Sequence, residues 1–361
     1  MTILPLSTWL PFSTSPLLIA GPCSAESREQ VLETALALKK ETTVSIFRAG
    51  IWKPRTQLGS FEGIGEEGLS WLKEVKEKTG LLVATEVATA KHVELCLKYG
   101  IDILWLGART TPNPFAVQEI AEALRGVDIP IMVKNPISPD LMIWRGALER
   151  LSRVGIKKLM AVHRGFSAPE SKELRNLPQW KIPIQLKNDF PNLPLICDPS
   201  HICGKREHLW HISQMALDIN FDGLMIEVHP HPDKALSDSL QQITVSTYKN
   251  MMEGLLLKRV DTLPPTAKKE LIHFRHMIDD LDEKLIELLS SRMKVSEQIS
   301  KLKAKHNVSL FQLGRFQELM KERGKRGKEL GLTEDFVAEI FNTIHEQSIL
   351  RQSETTIEKK D

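Results

Sequence analysis

The stretch LLIAGPCSAESREQVLETALALKKETTVSIFR, from Leu17 to Arg48, contains the repeating unit of the larger part of the chain. It begins with a short apolar run, passes a Gly-Pro turn and a polar loop, and continues with the spacing of an amphipathic helix. A second β-branched apolar run closes the stretch. The pattern predicts a β-strand, a helix and a second strand.

The same unit recurs until about Arg259, which gives eight apolar runs separated by helical patterns. Eight β-α units in about 240 residues are typical of a (β/α)8 barrel and not of an open doubly wound sheet. The first turn lacks a G-x-G-x-x-G motif, which disfavours dinucleotide binding. Only the sixth connection, around Pro178 to Pro194, has no clear helical pattern. The eight runs are LLIAGPC, VSIFRAGIW, LLVATEV, ILWLGART, IMVKNP, LMAVHRG, LICDPSH and LMIEVHP.

The composition changes at the polar, double-proline segment KRVDTLPPTAKK. We predict a barrel domain over residues 1–258, a linker over 259–267 and an all-helical domain over 268–361. Apolar residues three and four apart between Leu271 and Leu302 predict a long first helix with a coiled-coil-like seam.

A seam of that length cannot be buried within so small a monomer. We therefore expect a three-helix domain that forms a dimer. The third helix is expected to open at Thr333. The basic segment KERGKRGK, residues 321–328, is expected to form a solvated loop before it.

The overall composition excludes several classes of protein. Lys and Arg number 48 against 46 Asp and Glu, a net charge of +2, so no global field favours a nucleic acid or a membrane surface. Four cysteines in a chain of this length do not form a disulfide framework. The apolar N-terminus has no Lys or Arg before Arg28 and is interrupted by prolines, which is atypical of a signal peptide or a membrane span. We predict a cytoplasmic protein.

Polar residues follow each predicted strand, and in such barrels the catalytic groups lie at the C-terminal ends of the strands. A first set contains one thiol, one imidazole and two carboxylates. This mixture suits a borderline divalent transition metal and does not suit Mg or Ca. A single such residue is as well explained by burial or a salt bridge, but four at one rim favour a metal site. They are Cys23, His201, Glu227 and Asp238.

A second set at the same rim is cationic. Six positive groups around one pocket would repel each other unless an anion entered, and guanidinium groups bind phosphates and carboxylates with paired hydrogen bonds. Phosphorylated substrates are therefore expected. A metal that polarises a carbonyl beside such a pocket suggests carbon-carbon bond formation on a phosphosugar aldehyde. The six are Arg48, Lys53, Arg55, Arg109, Lys134 and Arg164.

The motifs GPCSAES, FRAGIWKPRT, GART, VKN, HRG, DPSH, IEVHP and KALSD occur in this order within residues 15–258. They resemble the metal-dependent 3-deoxy-D-arabino-heptulosonate 7-phosphate (DAHP) synthases, type I-beta. The resemblance implies condensation of phosphoenolpyruvate with erythrose 4-phosphate, the first step of the shikimate pathway, with Mn, Fe, Co or Zn and no organic cofactor. It also implies that the metal ligands are Cys23, His201, Glu227 and Asp238, that phosphoenolpyruvate is held by Arg48, Lys53, Arg109, Lys134 and Arg164, and that the aldose phosphate contacts Arg55, Thr56 and Asp198.

The acid and base of this reaction remain open, with Lys53 and His201 as candidates and Glu86 as a group that could position the water. A related family, the 3-deoxy-D-manno-octulosonate 8-phosphate synthases, shares the barrel and the GPC motif but uses arabinose 5-phosphate. The sequence Lys-Pro-Arg-Thr at 53–56, where that family usually has Lys-Ala-Asn-Arg, favours erythrose 4-phosphate. His163 departs from the resemblance, because relatives commonly carry Glu before the Arg-Gly pair.

In the helical domain, Arg292 interrupts the apolar seam, and a buried Arg needs an anion. An internal ion pair or a register-setting residue is the alternative reading. Lys303 lies eleven residues further on and so on nearly the same face. Arg275 precedes Arg292 by seventeen residues, about 25 Å along a helix. It is too distant to share a small ligand within one copy, but it could complete the partner's site in an antiparallel dimer.

The segment LIHFRHMIDDLDEKLIELLSSRMKVSEQISKLK is similar to the all-helical chorismate mutases, a likeness that covers residues 268–354. It implies rearrangement of chorismate to prephenate without a metal or a nucleophile. Two positions depart from the likeness: Gln312, where Asp is common, and Phe316, where Glu usually contacts the substrate. A lowered activity is expected for that reason. The substrate contacts that the likeness implies are Arg275 from the partner subunit, the catalytic pair Arg292 and Lys303, and Arg315, Ser348 and Gln352.

We therefore expect a bifunctional enzyme with a DAHP synthase domain followed by a chorismate mutase domain. The alternative for the helical domain is a non-catalytic module for dimerisation that senses chorismate or prephenate. Under either reading, the fused domain could supply feedback control by prephenate.

Overall fold

The computed structural model describes residues 1–10, 16–54, 59, 61–168, 173–257, 263–309 and 311–357, with side chains up to residue 353. The chain separates into two compact units, Met1–Arg259 and Val260–Asp361. Each unit has a fold of its own. Part of the predicted linker, residues 259–262, lies outside the described residues.

Eight parallel strands of the first unit close into a barrel, which confirms the predicted (β/α)8 fold. The first barrel strand pairs with both the second and the last, so the barrel sheet has no free edge. The strands are β1 (Leu17–Gly21), β2 (Ile46–Arg48), β3 (Leu82–Val87), β4 (Ile103–Leu106), β5 (Ile131–Lys134), β6 (Leu159–His163), a separate hairpin of β7 (Phe166–Ser167) and β8 (Asn176–Leu177), and then β9 (Leu195–Cys197) and β10 (Gly223–Glu227).

Helices connect the barrel strands, and their ends follow the sequence. Side chains of Ser27, Thr89 and Asn113 accept hydrogen bonds from the free N–H groups at three helix starts. Gly80 and Gly100 end two helices in the left-handed conformation that favours glycine. The helices are α1 (Arg28–Glu41), α2 (Glu67–Thr79), α3 (Ala90–Tyr99), α4 (Pro114–Ala123), α5 (Leu141–Arg153), α6 (Lys181–Asp189), α7 (Pro199–Cys203), α8 (Leu209–Asp218) and α9 (Val245–Glu253).

The core of the barrel unit has two layers. Side chains such as Ile19, Trp105 and Met225 fill the inside of the barrel, while alternate residues of the same strands pack outward against the helices. Leu10, from the N-terminal segment, joins the inner layer. Because the inside is packed with apolar side chains, polar chemistry is confined to the ends of the strands.

The second unit consists of three helices in its described residues, as expected: α10 (Pro265–Lys305), α11 (Leu313–Glu329) and α12 (Glu334–Ile357). Proline at the first position of α10 costs no hydrogen bond, since the first N–H groups of a helix lack partners within it. The hydroxyl of Thr333 accepts a hydrogen bond from the N–H of Phe336 and caps α12. The apolar seam of α10 stays exposed within the single chain, with Leu285 at 56 % and Leu288 at 66 %. No helix in the described part of the chain is both long and apolar enough to cross a membrane.

The segment KERGKRGK is helical and not the predicted loop, since it forms the second half of α11. Lys, Arg and Glu favour helices, and two glycines do not outweigh them when tertiary packing adds support. Gly327 supplies that packing: a Cβ at this position would lie 2.4 Å from Cγ2 of Val337. The glycine therefore allows α11 and α12 to approach closely.

Candidate active sites

The C-terminal ends of β1 and β10 bring together three of the four predicted metal ligands. Ligand atoms of Cys23, Glu227 and Asp238 all lie within 4.8 Å of one another. Sγ of Cys23 is 3.3 Å from Oδ2 of Asp238. The fourth, His201, lies at the start of α7, with Nε2 3.8 Å from Oε1 of Glu227.

The protonation of His201 is set by Asp198. The carboxylate of Asp198 lies 3.0 Å from Nδ1 of His201, so that nitrogen carries the proton. Burial lowers the pKa of His201, which favours the neutral ring. The lone pair of Nε2 therefore faces a carboxylate oxygen of Glu227, an arrangement of two acceptors that a bound cation would stabilise.

The other donors also fit a metal ion. Burial, together with the negative charges of Glu227 and Asp238, raises the pKa of the Cys23 thiol to about 12. A bound cation would favour the thiolate that these surroundings otherwise disfavour. Oε1 of Glu227 is fully buried and has no hydrogen-bond partner among the described residues. One thiol, one imidazole and two carboxylates match a borderline divalent transition metal.

A cationic pocket opens beside this cluster. Nζ of Lys53 lies 3.0 Å from Sγ of Cys23, and Nζ of Lys134 lies 2.7 Å from Oδ2 of Asp198. The residues that line the pocket include Lys53, Glu86, Arg109, Lys134, Arg164 and His201.

Arg48 does not line this pocket but lies at the base of the cluster. Its Nη2 donates to the carbonyl of Cys23, and its guanidinium packs over the ring of Trp105. The predicted contacts Arg55 and Thr56 lie outside the described residues.

Glu86 reaches the pocket because of its neighbours on β4. The indole N–H of Trp105 donates to Oε2 of Glu86 at 3.1 Å. A Cβ on Gly107 would lie 2.1 Å from Oε1 of the same carboxylate, so only glycine leaves room for it. Glu86 is thereby held in one orientation, as a group that positions water must be.

Arg175 was missed by the sequence analysis. Its Nη1 donates to Oδ1 of Asp238 at 3.0 Å. Arg175 directly precedes β8, just before the stretch of the sixth connection whose pattern was unclear. Its proximity to Asp238 depends on how this connection folds back, which apolar periodicity does not encode.

His163 points away from the pocket into the outer core. Its ring packs among those of Trp144, Phe166, Trp180 and Phe221. This burial lowers the pKa of His163 to about 3. The departure at this position therefore lies behind the site and adds no group to it.

Neutral burial of His163 predicts a pH-dependent stability. Below pH 6.5 His163 is protonated in the unfolded chain, whereas in the folded chain it stays neutral down to about pH 3. The free energy of unfolding therefore falls as the pH falls. At pH 5 the loss is about 2 kcal/mol. We expect His163→Phe to remove this contribution to the difference in the free energy of unfolding between pH 7.5 and pH 5.

Urea unfolding followed by tryptophan fluorescence measures the effect on the barrel alone, because all seven tryptophans precede residue 211. His211→Phe, at an exposed position of α8, is the matched control and should keep the wild-type dependence. An unchanged pH dependence in His163→Phe would contradict a neutral, buried ring.

In the helical unit, Nη1 of Arg292 on α10 donates to the hydroxyl of Ser348 on α12. No carboxylate of the described residues forms an ion pair with Arg292, so the alternative reading of an internal ion pair finds no support there. Burial lowers the pKa of Arg292. A partly buried guanidinium held by a neutral hydroxyl is a suitable anchor for an anion.

The other predicted contacts are distributed unevenly. Gln352 is buried, and its Nε2 donates to the hydroxyl of Ser296. Arg315 is exposed and paired with Glu318, and Arg275 is exposed on the first half of α10. Of the predicted contacts, Arg292 and Ser348 are joined by a direct hydrogen bond within one chain.

Two further residues, His345 and Arg323, lie near Arg292. Burial lowers the pKa of His345, and the positive charges of Arg292, Arg323 and Lys303 lower it further. Arg323 packs over the ring of Phe341. Three cations near this imidazole make the surroundings of Arg292 positively charged. Arg323 was not among the predicted site residues, because its segment was expected to form a loop.

Fold and geometry together define a two-domain enzyme, with a barrel whose polar groups converge at the C-terminal ends of the strands and a helical unit with a group of neighbouring cations. The model of the DAHP synthetase I family matches residues 13–258, and that of chorismate mutase type II matches residues 274–353. The chain belongs to the DAHP synthetase I family and carries a chorismate mutase domain. It is a bifunctional enzyme of the shikimate pathway, which confirms the expectation from its motifs.

Individual relatives agree with this assignment. The chain is 33% identical over 238 residues to phospho-2-dehydro-3-deoxyheptonate aldolase of Thermotoga maritima, covering 66% of this chain and 68% of that protein. A crystal structure of the Thermotoga enzyme matches with a TM-score of 0.59 and 31% identity, over 66% of this chain and 67% of that one. The 2-dehydro-3-deoxyphosphooctonate aldolase of Desulfotalea psychrophila is more distant, at 28% identity over 67% of this chain and 89% of its own length. The octulosonate alternative is therefore less well supported.

Proposed function

We propose that Cys23, His201, Glu227 and Asp238 hold the divalent transition metal on which DAHP synthases generally depend. The observation that carries this proposal is the buried cluster of a thiol and two carboxylates that opens directly onto a cationic pocket. Mn, Fe, Co and Zn all suit this donor set. When bound, the metal supplies a Lewis acid for the aldehyde oxygen of erythrose 4-phosphate.

The pocket residues would bind and orient phosphoenolpyruvate. Arg109, Lys134 and Arg164 neutralise its phosphate and carboxylate, so that C3 faces the aldehyde carbon. Burial lowers the pKa of Arg164 to about 10, and the group stays cationic at neutral pH. Arg48 fixes the Cys23 carbonyl from below and acts on the substrate through the cluster.

Proton transfer and water attack are assigned to groups at the edges of the pocket. Lys53 lies beside Cys23 and would donate a proton to the aldehyde oxygen as the C–C bond forms. Glu86, fixed by Trp105, would direct a water to C2 of phosphoenolpyruvate. The C2–O bond to phosphate then breaks, which yields DAHP and inorganic phosphate. Asp198 would orient His201 and Lys134 and contact the aldose phosphate, together with Arg55 and Thr56.

We propose that the mutase works as a dimer. The exposed seam of α10 is a large apolar surface of the kind that a second copy covers. Arg275 of one copy would then complete the pocket formed by Arg292, Lys303 and Ser348 of the other, with Arg315 and Gln352 at its margin. Cations would hold the two carboxylates of chorismate in the reactive geometry and stabilise charge on the ether oxygen.

We also propose that prephenate, bound at the mutase pocket, inhibits the synthase, and that the protein works in the cytoplasm. The positive charges of Arg292, Arg323 and Lys303 near His345 support the first of these proposals, since prephenate is a dicarboxylate like chorismate. Ligand binding there can alter the barrel only through an equilibrium between two states that differ in prephenate affinity.

Phosphoenolpyruvate consumption tests the barrel assignment. We expect erythrose 4-phosphate to support at least 100-fold higher kcat/KM than arabinose 5-phosphate, since a pocket built around one aldose leaves polar groups unpaired with the other. A chelator should abolish consumption, and a divalent transition metal should restore it. Equal rates with the two sugars, or full activity in the metal-free enzyme, would contradict the proposal. Chorismate consumption in the same sample is the control and should not respond to the chelator.

A further inference from the structure

Two adjacent glutamines beside the predicted metal ligands are fully buried. Gln241 is 1 % exposed and Gln242 is 0 % exposed. They follow the loop that leaves β10, and neither would touch substrate. Each side-chain oxygen and nitrogen has a hydrogen bond, so both amides are held in one orientation.

Gln241 connects the two carboxylates of the cluster. Its Nε2 donates to Oε2 of Glu227 at 2.7 Å. Its Oε1 accepts from Nη1 of Arg175 at 3.0 Å, and the same Nη1 donates to Oδ1 of Asp238. Because Gln241 occupies Oε2 of Glu227, Oε1 is the carboxylate oxygen without a hydrogen bond in the described residues; it faces the guanidinium of Arg48 at 3.3 Å and could also bind a metal ion.

Gln242 connects the backbone of Cys23 to the loop that carries Asp238. Its Oε1 accepts from the backbone N–H of Cys23 at 2.9 Å. Its Nε2 donates to the carbonyl of Ser237 at 2.7 Å. This one amide therefore ties the β1 loop to the residue before Asp238, across more than two hundred residues of sequence.

The backbone explains why both glutamines can serve one cluster. The N–H of Ile243 donates to the carbonyl of Glu227, and the N–H of His229 donates to the carbonyl of Ile243, so the segment runs beside the end of β10. Gln241 closes a turn in which its N–H donates to the carbonyl of Asp238, and Gln242 directly precedes the bridge between Ile243 and Val228. Gln241 thus faces Glu227, and Gln242 faces the β1 loop. A carboxylate could not replace either amide, since each position needs both a donor and an acceptor.

We propose that Gln241 and Gln242 are positioning residues for the metal centre, one for Glu227 and Asp238, the other for Cys23. The inference rests on the proposed metal site at these residues. Outer hydrogen bonds of this kind typically change metal affinity 10- to 100-fold.

The test measures Co²⁺ binding to the full-length protein by chelator competition, followed through the near-ultraviolet thiolate-to-cobalt absorption band. Gln241→Met and Gln242→Met keep side-chain length but remove the amide, and each should weaken Co²⁺ binding about 10- to 100-fold. The band should shift in Gln242→Met, and excess Co²⁺ should restore activity in both variants. Gln241→Asn and Gln242→Asn, which withdraw the amide by one methylene, should weaken binding likewise and replace any methionine variant that does not fold.

Gln214→Met is the matched control, because Gln214 is a buried glutamine whose amide bonds Leu256 and Asp218 away from the cluster. It should keep wild-type Co²⁺ affinity and absorption. Glutamine variants that lose thermal stability but keep the wild-type affinity and band would overturn the positioning role. A wild-type protein without any thiolate-to-cobalt band would instead overturn the proposed metal site itself.

Discussion

Replacing Cys23 with alanine should silence DAHP formation and leave the chorismate mutase reaction intact. Cys23 supplies the only sulfur of the cluster, and its loss leaves Glu227 and Asp238 beside the cationic groups Lys53 and Arg48. These cations would then neutralise the carboxylates and compete with the metal. A Lewis-acid contribution of several kcal/mol corresponds to a fall of about 10³-fold or more in kcat.

The measurement combines metal content after dialysis with phosphoenolpyruvate consumption in the same preparation. Cys96→Ala is the matched control, because Cys96 is an equally buried thiol on α3 among apolar neighbours. The control should retain metal and activity. Wild-type metal content together with wild-type rates in Cys23→Ala would remove the thiol from the ligand set.

The barrel was predictable because its determinants are local. Each strand is a short apolar run and each helix has its own periodicity, so eight repeats define the closed sheet before any contact is known. The rule that strand ends carry the chemistry then places Cys23, Glu227 and Lys134 on one rim. Closure of the barrel makes β1 and β10 neighbours, and residues more than two hundred positions apart meet without any local signal.

The remaining site residues depend on how loops return to the rim. Arg175 reaches Asp238 from a connection with two very short strands, and such strands have no detectable period. In the helical unit, the error over KERGKRGK had a physical cause: glycine is a weak helix former in isolation, but Gly327 allows close packing against Val337. The same error concealed Arg323, which lies in that segment.

The two domains use cations differently. In the barrel, Arg48 pairs with Glu227 and Lys134 pairs with Asp198, so anions of the protein already balance part of the charge. In the helical unit, Arg292 is held by Ser348 without a carboxylate from the described residues. Its charge is therefore available to the substrate. This contrast makes Arg292 the position where a single substitution should do most damage to the mutase.

Arg292→Ala should lower the kcat of the mutase by roughly 10²–10³-fold, the usual effect of removing one preorganised donor to developing negative charge. DAHP formation in the absence of prephenate should be unchanged. Prephenate should no longer inhibit it, because the proposed inhibitory site is the mutase pocket that contains Arg292. Both rates are measured on the full-length protein, with the synthase as the check on folding.

Arg351→Ala provides the comparison. Arg351 also bridges α12 and α10, through Glu297 at 2.9 Å, but its side chain is exposed and paired with a carboxylate. It carries the same charge, and its loss should change mutase activity less than twofold. If the two variants lose mutase activity equally, the effect lies in the packing of α10 against α12. If only Arg292→Ala loses mutase activity while prephenate still inhibits its DAHP formation, catalysis and feedback use different sites.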